Sequence, residues 1–203
     1  MPDSGTARLH RAFGRNSRRF AEHLSSLLTR TITDQPLRER VLFDRETQTL
    51  NALILFRDTR EVVLANGCRI RLLHRVTLSS DDPAGAVSTA EYSYAYGFGD
   101  NLDEGWLVRY DYVPEEAEFN PEYKYPVGHV HFNGRSAAYE AFEAAGTKPL
   151  HRLHFPTRCI SLEDFIEHLV VEMGVPTRHG QESALELLAD SRNKFAKEKR
   201  TRD

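Results

Sequence analysis

Apolar positions recur along this chain at two different periods. Between residues 17 and 30, Phe20, Leu24, Leu27 and Leu28 fall on one stripe at helical spacing, which predicts a first helix. After Pro36 the period shortens. Val41 to Phe43, Leu50 to Phe56 and Val62 to Leu64 are short apolar runs, and Asn66-Gly67 is a tight hairpin signal, so Arg69 to Leu78 is expected to pair with the segment before the turn. Asp81 to Ser88, with Pro83 and Gly85, reads as a loop. Tyr92, Tyr94, Tyr96 and Phe98 then alternate with small residues. Trp106, Val108, Tyr110 and Tyr112 alternate with Leu107, Arg109, Asp111 and Val113. Both segments predict half-buried strands joined by the polar loop Gly99 to Gly105.

A long polar connection, Pro114 to Tyr125, leads to Gly128-His129-Val130-His131-Phe132, and Ser136 to Ala145 reads as a short inserted helix ahead of Leu150. Ser161-Leu-Glu-Asp164 resembles a capping box with Asp in the usual Glu or Gln position. Phe165, Ile166, Leu169, Val170 and Met173 follow at helical spacing, and Gly174 is the stop. A second helix is expected over Glu182 to Lys197. The implied class is α+β: an antiparallel sheet of about five or six strands, with an N-terminal helix and C-terminal helices packed on one face.

At 203 residues and 40% hydrophobic content, one core and a single domain over 1–203 suffice. A basic arm, residues 1–15, and a charged tail, residues 198–203, flank it. No apolar run is long enough to span a bilayer, and the Arg-rich start lacks the apolar centre of a secretory signal, so a cytoplasmic protein without membrane contact is expected. Cys68 and Cys159 are far apart and form neither a disulfide framework nor a cysteine zinc motif. No glycine-rich phosphate loop occurs.

The net charge of −3 hides an asymmetry. Arg8, Arg11, Arg15, Arg18 and Arg19 form a block with no acid among them, whereas the middle of the chain, Asp81 to Glu122, is acidic. Such a block is either a solvated arm or a contact for nucleic acid or an acidic partner. The basic run Lys194 to Arg202 has the same two readings.

Histidine titrates nearest neutrality, and four of the nine lie at 129, 131, 151 and 154. On a strand over 128–133, His129 and His131 share the face opposite Val130 and Phe132. The same parity at 150–155 puts His154 with Arg152 and leaves His151 among apolar neighbours. Arg109 and Asp111 share the non-aromatic face of their strand.

The order of these features, Asn66-Gly67-Cys-Arg-Ile-Arg71, Tyr92-Ser-Tyr94, Arg109-Tyr110-Asp111-Tyr112, His129-Val-His131 and a closing helix, resembles the TumE family of toxins from prokaryotic toxin-antitoxin systems over residues 60–173. The resemblance implies a small cytoplasmic toxin, a cognate antitoxin protein as partner, and RNA or the translation apparatus as target. The chain is longer than that pattern, with an added N-terminal region and an insertion after His131.

Two imidazoles and a guanidinium supply what metal-free RNA cleavage needs: a base for the ribose 2'-hydroxyl, an acid for the leaving 5'-oxygen, and a cation for the phosphorane. His129, His131 and His154 are the candidate acid and base, and Arg109 is the cation. Asp111 would orient a histidine, and Tyr125 would add a hydroxyl at the rim. Three converging imidazoles would also suit zinc. No fourth ligand is evident, and Arg109 would occupy Asp111, so neither a metal nor another cofactor is expected. In the plainest reading, the histidines are exposed polar-face residues beside an in-strand Arg109–Asp111 pair. The competing class of function is a non-catalytic interaction or regulatory protein that holds a partner through its charged surfaces.

Overall fold

A computed structural model of the chain describes residues 4–44, 50–56, 61–78, 86–113, 128–133 and 155–200, with side chains described from residue 7 to residue 193. Helix α1 (Ser4–Thr31) is followed by β1 (Glu39–Phe43), β2 (Asn51–Phe56), β3 (Glu61–Val63), β4 (Arg69–Leu78), β5 (Val87–Gly97), β6 (Trp106–Tyr112), β7 (Gly128–Phe132), β8 (Phe155–Thr157), α2 (Leu162–Val171) and α3 (Gln181–Arg200). The strands form one sheet in the order β1-β2-β4-β5-β6-β7-β8, with β3 paired to the end of β4, and every pairing is antiparallel. The α+β class is as expected. Among the described residues the sheet already has eight strands, more than the expected five or six.

Alternation decides which side of the sheet the helices cover. Ile70, Leu72 and Val76 of β4, Tyr92, Tyr94 and Tyr96 of β5, Val108 of β6 and Val130 of β7 are buried in one core with Leu24 and Leu28 of α1 and Phe165, Ile166 and Leu169 of α2. The Tyr94 ring lies 5.4 Å from Phe165, and Tyr92 and Tyr94 stack at 4.4 Å. The tyrosine strand thus presents its aromatic side to the core. Burying such rings dominates the energetics of a core of this kind.

Local chemistry fixes the element ends. Ser161 caps α2: its hydroxyl accepts from the Asp164 amide, and the Asp164 carboxylate accepts from the Ser161 amide. Gly174 follows with a φ of 64°, a conformation that favours glycine. The first helix departs from expectation, because it starts at Ser4 and absorbs most of the anticipated arm. Phe13 and Ser17 extend its buried stripe toward the N-terminus, and Ser17 returns a hydrogen bond to the Phe13 carbonyl. The last helix likewise runs on to Arg200, into the expected tail. The helix expected over 136–145 lies outside the described residues, as does most of the loop over 81–88.

Candidate functional site

The second face of the sheet carries the candidate residues of β6 and β7. Antiparallel register places Asp111 opposite His129 on one side and Ser93 on the other, while Arg109 stands opposite His131 and Ala95. Directly opposed residues point to the same face, so two neighbouring rungs gather Arg109, Asp111, His129 and His131. Further along the same rungs, β4 contributes Leu73 and Arg71.

Arg109, His129 and His131 converge on one atom of Asp111. Oδ2 of Asp111 accepts from Nε of Arg109 at 2.7 Å and lies 3.2 Å from Nε2 of His131 and 4.0 Å from Nε2 of His129. The two imidazole rings meet edge to face with centroids 4.8 Å apart. His129 (5% exposed), His131 (3%) and Asp111 (8%) are buried. This corrects the plainest sequence reading, which left the histidines on an exposed face. It bears out the in-strand Arg109–Asp111 pair. The alternation identified the shared face, but how deeply side chains on that face bury one another is invisible to it.

Burial by itself would raise the Asp111 carboxyl. Hydrogen bonds from His131, Ser93 and Arg109, with the Arg109 charge, outweigh that penalty and hold it below the ordinary carboxylate range. An ionised carboxylate only accepts, so the ring nitrogen of His131 facing Oδ2 carries its proton there. Asp111 thereby orients His131, as a third group does in catalytic triads.

A groove of 810 Å³ opens on the same face, lined among others by Glu61, Arg69, Arg71, Ser93, Trp106 and Arg109. Arg109 joins it to the histidine cluster, because its guanidinium lies 5.3 Å over the Trp106 ring while its Nε reaches Asp111. Arg71 is held on the floor by Glu61 at 2.6 Å and Asp103 at 2.8 Å. Sequence reasoning passed over Ser93, Trp106 and Arg71. The available signal was register: once the tyrosine strand pairs with its neighbours, the small residues between the tyrosines fall beside Arg109 and Asp111.

His154 and Tyr125, the remaining candidates, lie outside the described residues. Two further histidines make interior contacts. His74 is bound by the Tyr94 hydroxyl at 2.7 Å and the Thr89 hydroxyl at 3.0 Å, and His23 lies 3.1 Å from the Ser191 hydroxyl, which donates to Glu163. Both belong to the helix-covered side, away from the Asp111 cluster.

Asp111, His129 and His131 are the one group of potential metal ligands found among the described residues, with ligand atoms within 4.8 Å of one another. Two imidazoles and a carboxylate are a donor set suited to zinc or iron. The guanidinium on the shared carboxylate oxygen opposes a second cation there. No family model, curated protein or solved structure matches the chain. Among the described residues, no helix is long and apolar enough to cross a membrane.

Proposed function

We propose that the chain is a toxin-like protein of a prokaryotic toxin-antitoxin system that cleaves RNA by metal-independent acid–base chemistry in the cytoplasm. The observation that carries this reading is the convergence of Arg109, His131 and His129 on one buried Asp111 oxygen at the end of an arginine-bearing groove. One imidazole serving as acid and its neighbour as base suits transesterification by the ribose 2'-hydroxyl. The base takes the 2'-hydroxyl proton as that oxygen attacks phosphorus, and the acid returns a proton to the departing 5'-oxygen. Asp111 fixes the His131 tautomer. Arg109, whose side chain is 37% exposed and lines the groove, is the cation within reach of both a phosphodiester there and the cluster, and its charge steadies the phosphorane. His154 and Tyr125 belong to this reading through the sequence alone, as does a cognate antitoxin as protein partner.

Expression in a bacterial host tests it. The parent chain should arrest growth and its purified form should cut RNA. The His129→Ala, His131→Ala double variant should do neither, and Arg109→Gln should lower the cleavage rate by about two orders of magnitude, as expected for loss of a transition-state cation. Circular dichroism identifies variants that fail to fold. Equal growth effects of parent and folded double variant would remove the enzymatic reading and leave a non-catalytic partner-binding role.

A second reading rests on the same three ligand atoms within 4.8 Å: a divalent ion held by Asp111, His129 and His131 would activate water for hydrolysis. It requires Asp111 to exchange its Arg109 contact for the ion.

A further inference from the structure

The arginine block of the N-terminal region is folded into α1, and this changes what it can do. At 100° per residue, Arg8, Arg11, Arg15, Arg18 and Arg19 fall within about 100° of the helix circumference. All five are exposed, on the side away from the buried Phe13, Ser17, Leu24 and Leu28. Glu22 is the single acid in the whole helix, and its first turn has none. Among the described residues no ion pair engages any of the five guanidinium groups.

Such a stripe is unfavourable for the isolated protein on two counts. Like charges three and four residues apart on a helix repel. Cations in the first turns also oppose the helix dipole, which favours anions at that end. The neighbouring surface adds shape. Arg11, Arg15 and Arg18 line a groove of 540 Å³ with His10, Phe43, Asn51 and a single acid, Asp44, and the Arg18 guanidinium lies 5.7 Å over the Phe43 ring at the β1 edge. Basic groups tracking a groove beside a half-buried aromatic ring are ingredients of sequence-tolerant single-strand binding.

We propose that the arginine face of α1 and the adjoining Phe43 groove dock single-stranded RNA. The inference rests on the reading of RNA as substrate. The stripe lies on the helix-covered side of the sheet and the histidine cluster on the other, so its role is to hold the strand and raise its local concentration. Five arginine contacts, spaced about one per 5.4 Å turn, would engage successive phosphates of one strand.

The test is fluorescence anisotropy with a labelled 2'-O-methyl RNA of mixed sequence, which cannot be cut by 2'-hydroxyl attack. Five phosphate contacts predict a log–log slope of affinity against salt of about −3.5. The Arg11→Gln, Arg15→Gln, Arg18→Gln variant should lose about 2 of that slope. Gln keeps good helix propensity, so the variant should fold. A slope unchanged in the folded variant overturns the docking face. Tighter binding of polyglutamate than of the RNA probe also overturns it, in favour of an acidic protein partner. Failure of the functional reading looks different: a parent that binds the probe with the expected slope but leaves natural RNA intact sinks the cleavage and keeps the docking face.

Discussion

The His74 imidazole is buried on the helix-covered side, where desolvation pushes its pKa down to about 4 despite a nearby Glu163 charge. Its ring is therefore neutral at physiological pH and is fully used in holding the Tyr94 and Thr89 hydroxyls. The unfolded chain protonates the same ring near 6.5. The stability linked to the neutral ring is present in full above that value and is lost as pH falls toward the folded value, by about 3 kcal/mol across the window. Urea unfolding at pH 7 and pH 5 should show the parent losing about 2 kcal/mol from this group, and His74→Gln should be less stable at pH 7 with a flatter profile between. An identical slope in both proteins would assign the acid loss elsewhere. Glu163 titrates in a different window: burial would raise it, but hydrogen bonds from His23 and Ser191 bring it down to about 2. What it contributes is present above its unfolded value and is lost only as pH falls toward 2, so the two losses separate on the pH axis.

At the scale of elements, β7 is fixed by contacts that leave no room for adjustment. A Cβ on Gly128 would stand 2.9 Å from the Arg158 carbonyl oxygen and 3.0 Å from that of Thr157, both backbone atoms of the strand alongside and the residue after it. Gly128→Ala must therefore push β7 and β8 apart beside His129. Unfolding midpoints should fall, and under the proposed cleavage chemistry the rate should fall by more than the lost stability explains. Ser161→Ala is the contrasting change: it removes one half of the α2 capping box at a cost of about 1 kcal/mol and should leave the catalytic rate of the folded fraction unchanged. These elements were legible to different degrees. Tyr92 to Tyr96 and Trp106 to Tyr112 announce themselves by strict alternation, and Ser161 to Gly174 by its cap, stripe and stop. The β8 strand was obscured because it is three residues long and contains Pro156, and the start of α1 because Arg8 to Arg19 masks a buried stripe that continues through small residues such as Ser17. Parity placed Arg109 with Asp111 and His129 with His131. Joining the two pairs required the β6–β7 register, which depends on the tertiary pairing of the whole sheet.

The whole molecule offers a way to decide between the two chemistries proposed for the Asp111 cluster, because an ion bound to the native state alone stabilises the entire fold by mass action. Zinc at 100 times its dissociation constant would add about 2.7 kcal/mol, worth roughly 5–11 °C in the midpoint of a chain this size. The geometry argues that this shift will be absent. Oδ2 of Asp111 is the atom on which both imidazole nitrogens converge, and the same atom takes the Arg109 Nε at 2.7 Å. A divalent ion at that point would have to displace a guanidinium or sit beside it, and displacement would leave Arg109 over Trp106 with its charge unpaired. The expected result is a midpoint unchanged by zinc, manganese or chelator in the parent, with RNA cleavage equally indifferent to chelator. Arg109→Leu then serves as the informative variant. With the guanidinium gone, the same two imidazoles and carboxylate should acquire a zinc-dependent rise in midpoint while cleavage is lost. A parent already stabilised by zinc, and inactivated by a chelator, would reverse the assignment: Arg109 would then orient a metal-bound carboxylate, and the histidines would be ligands in place of acid and base.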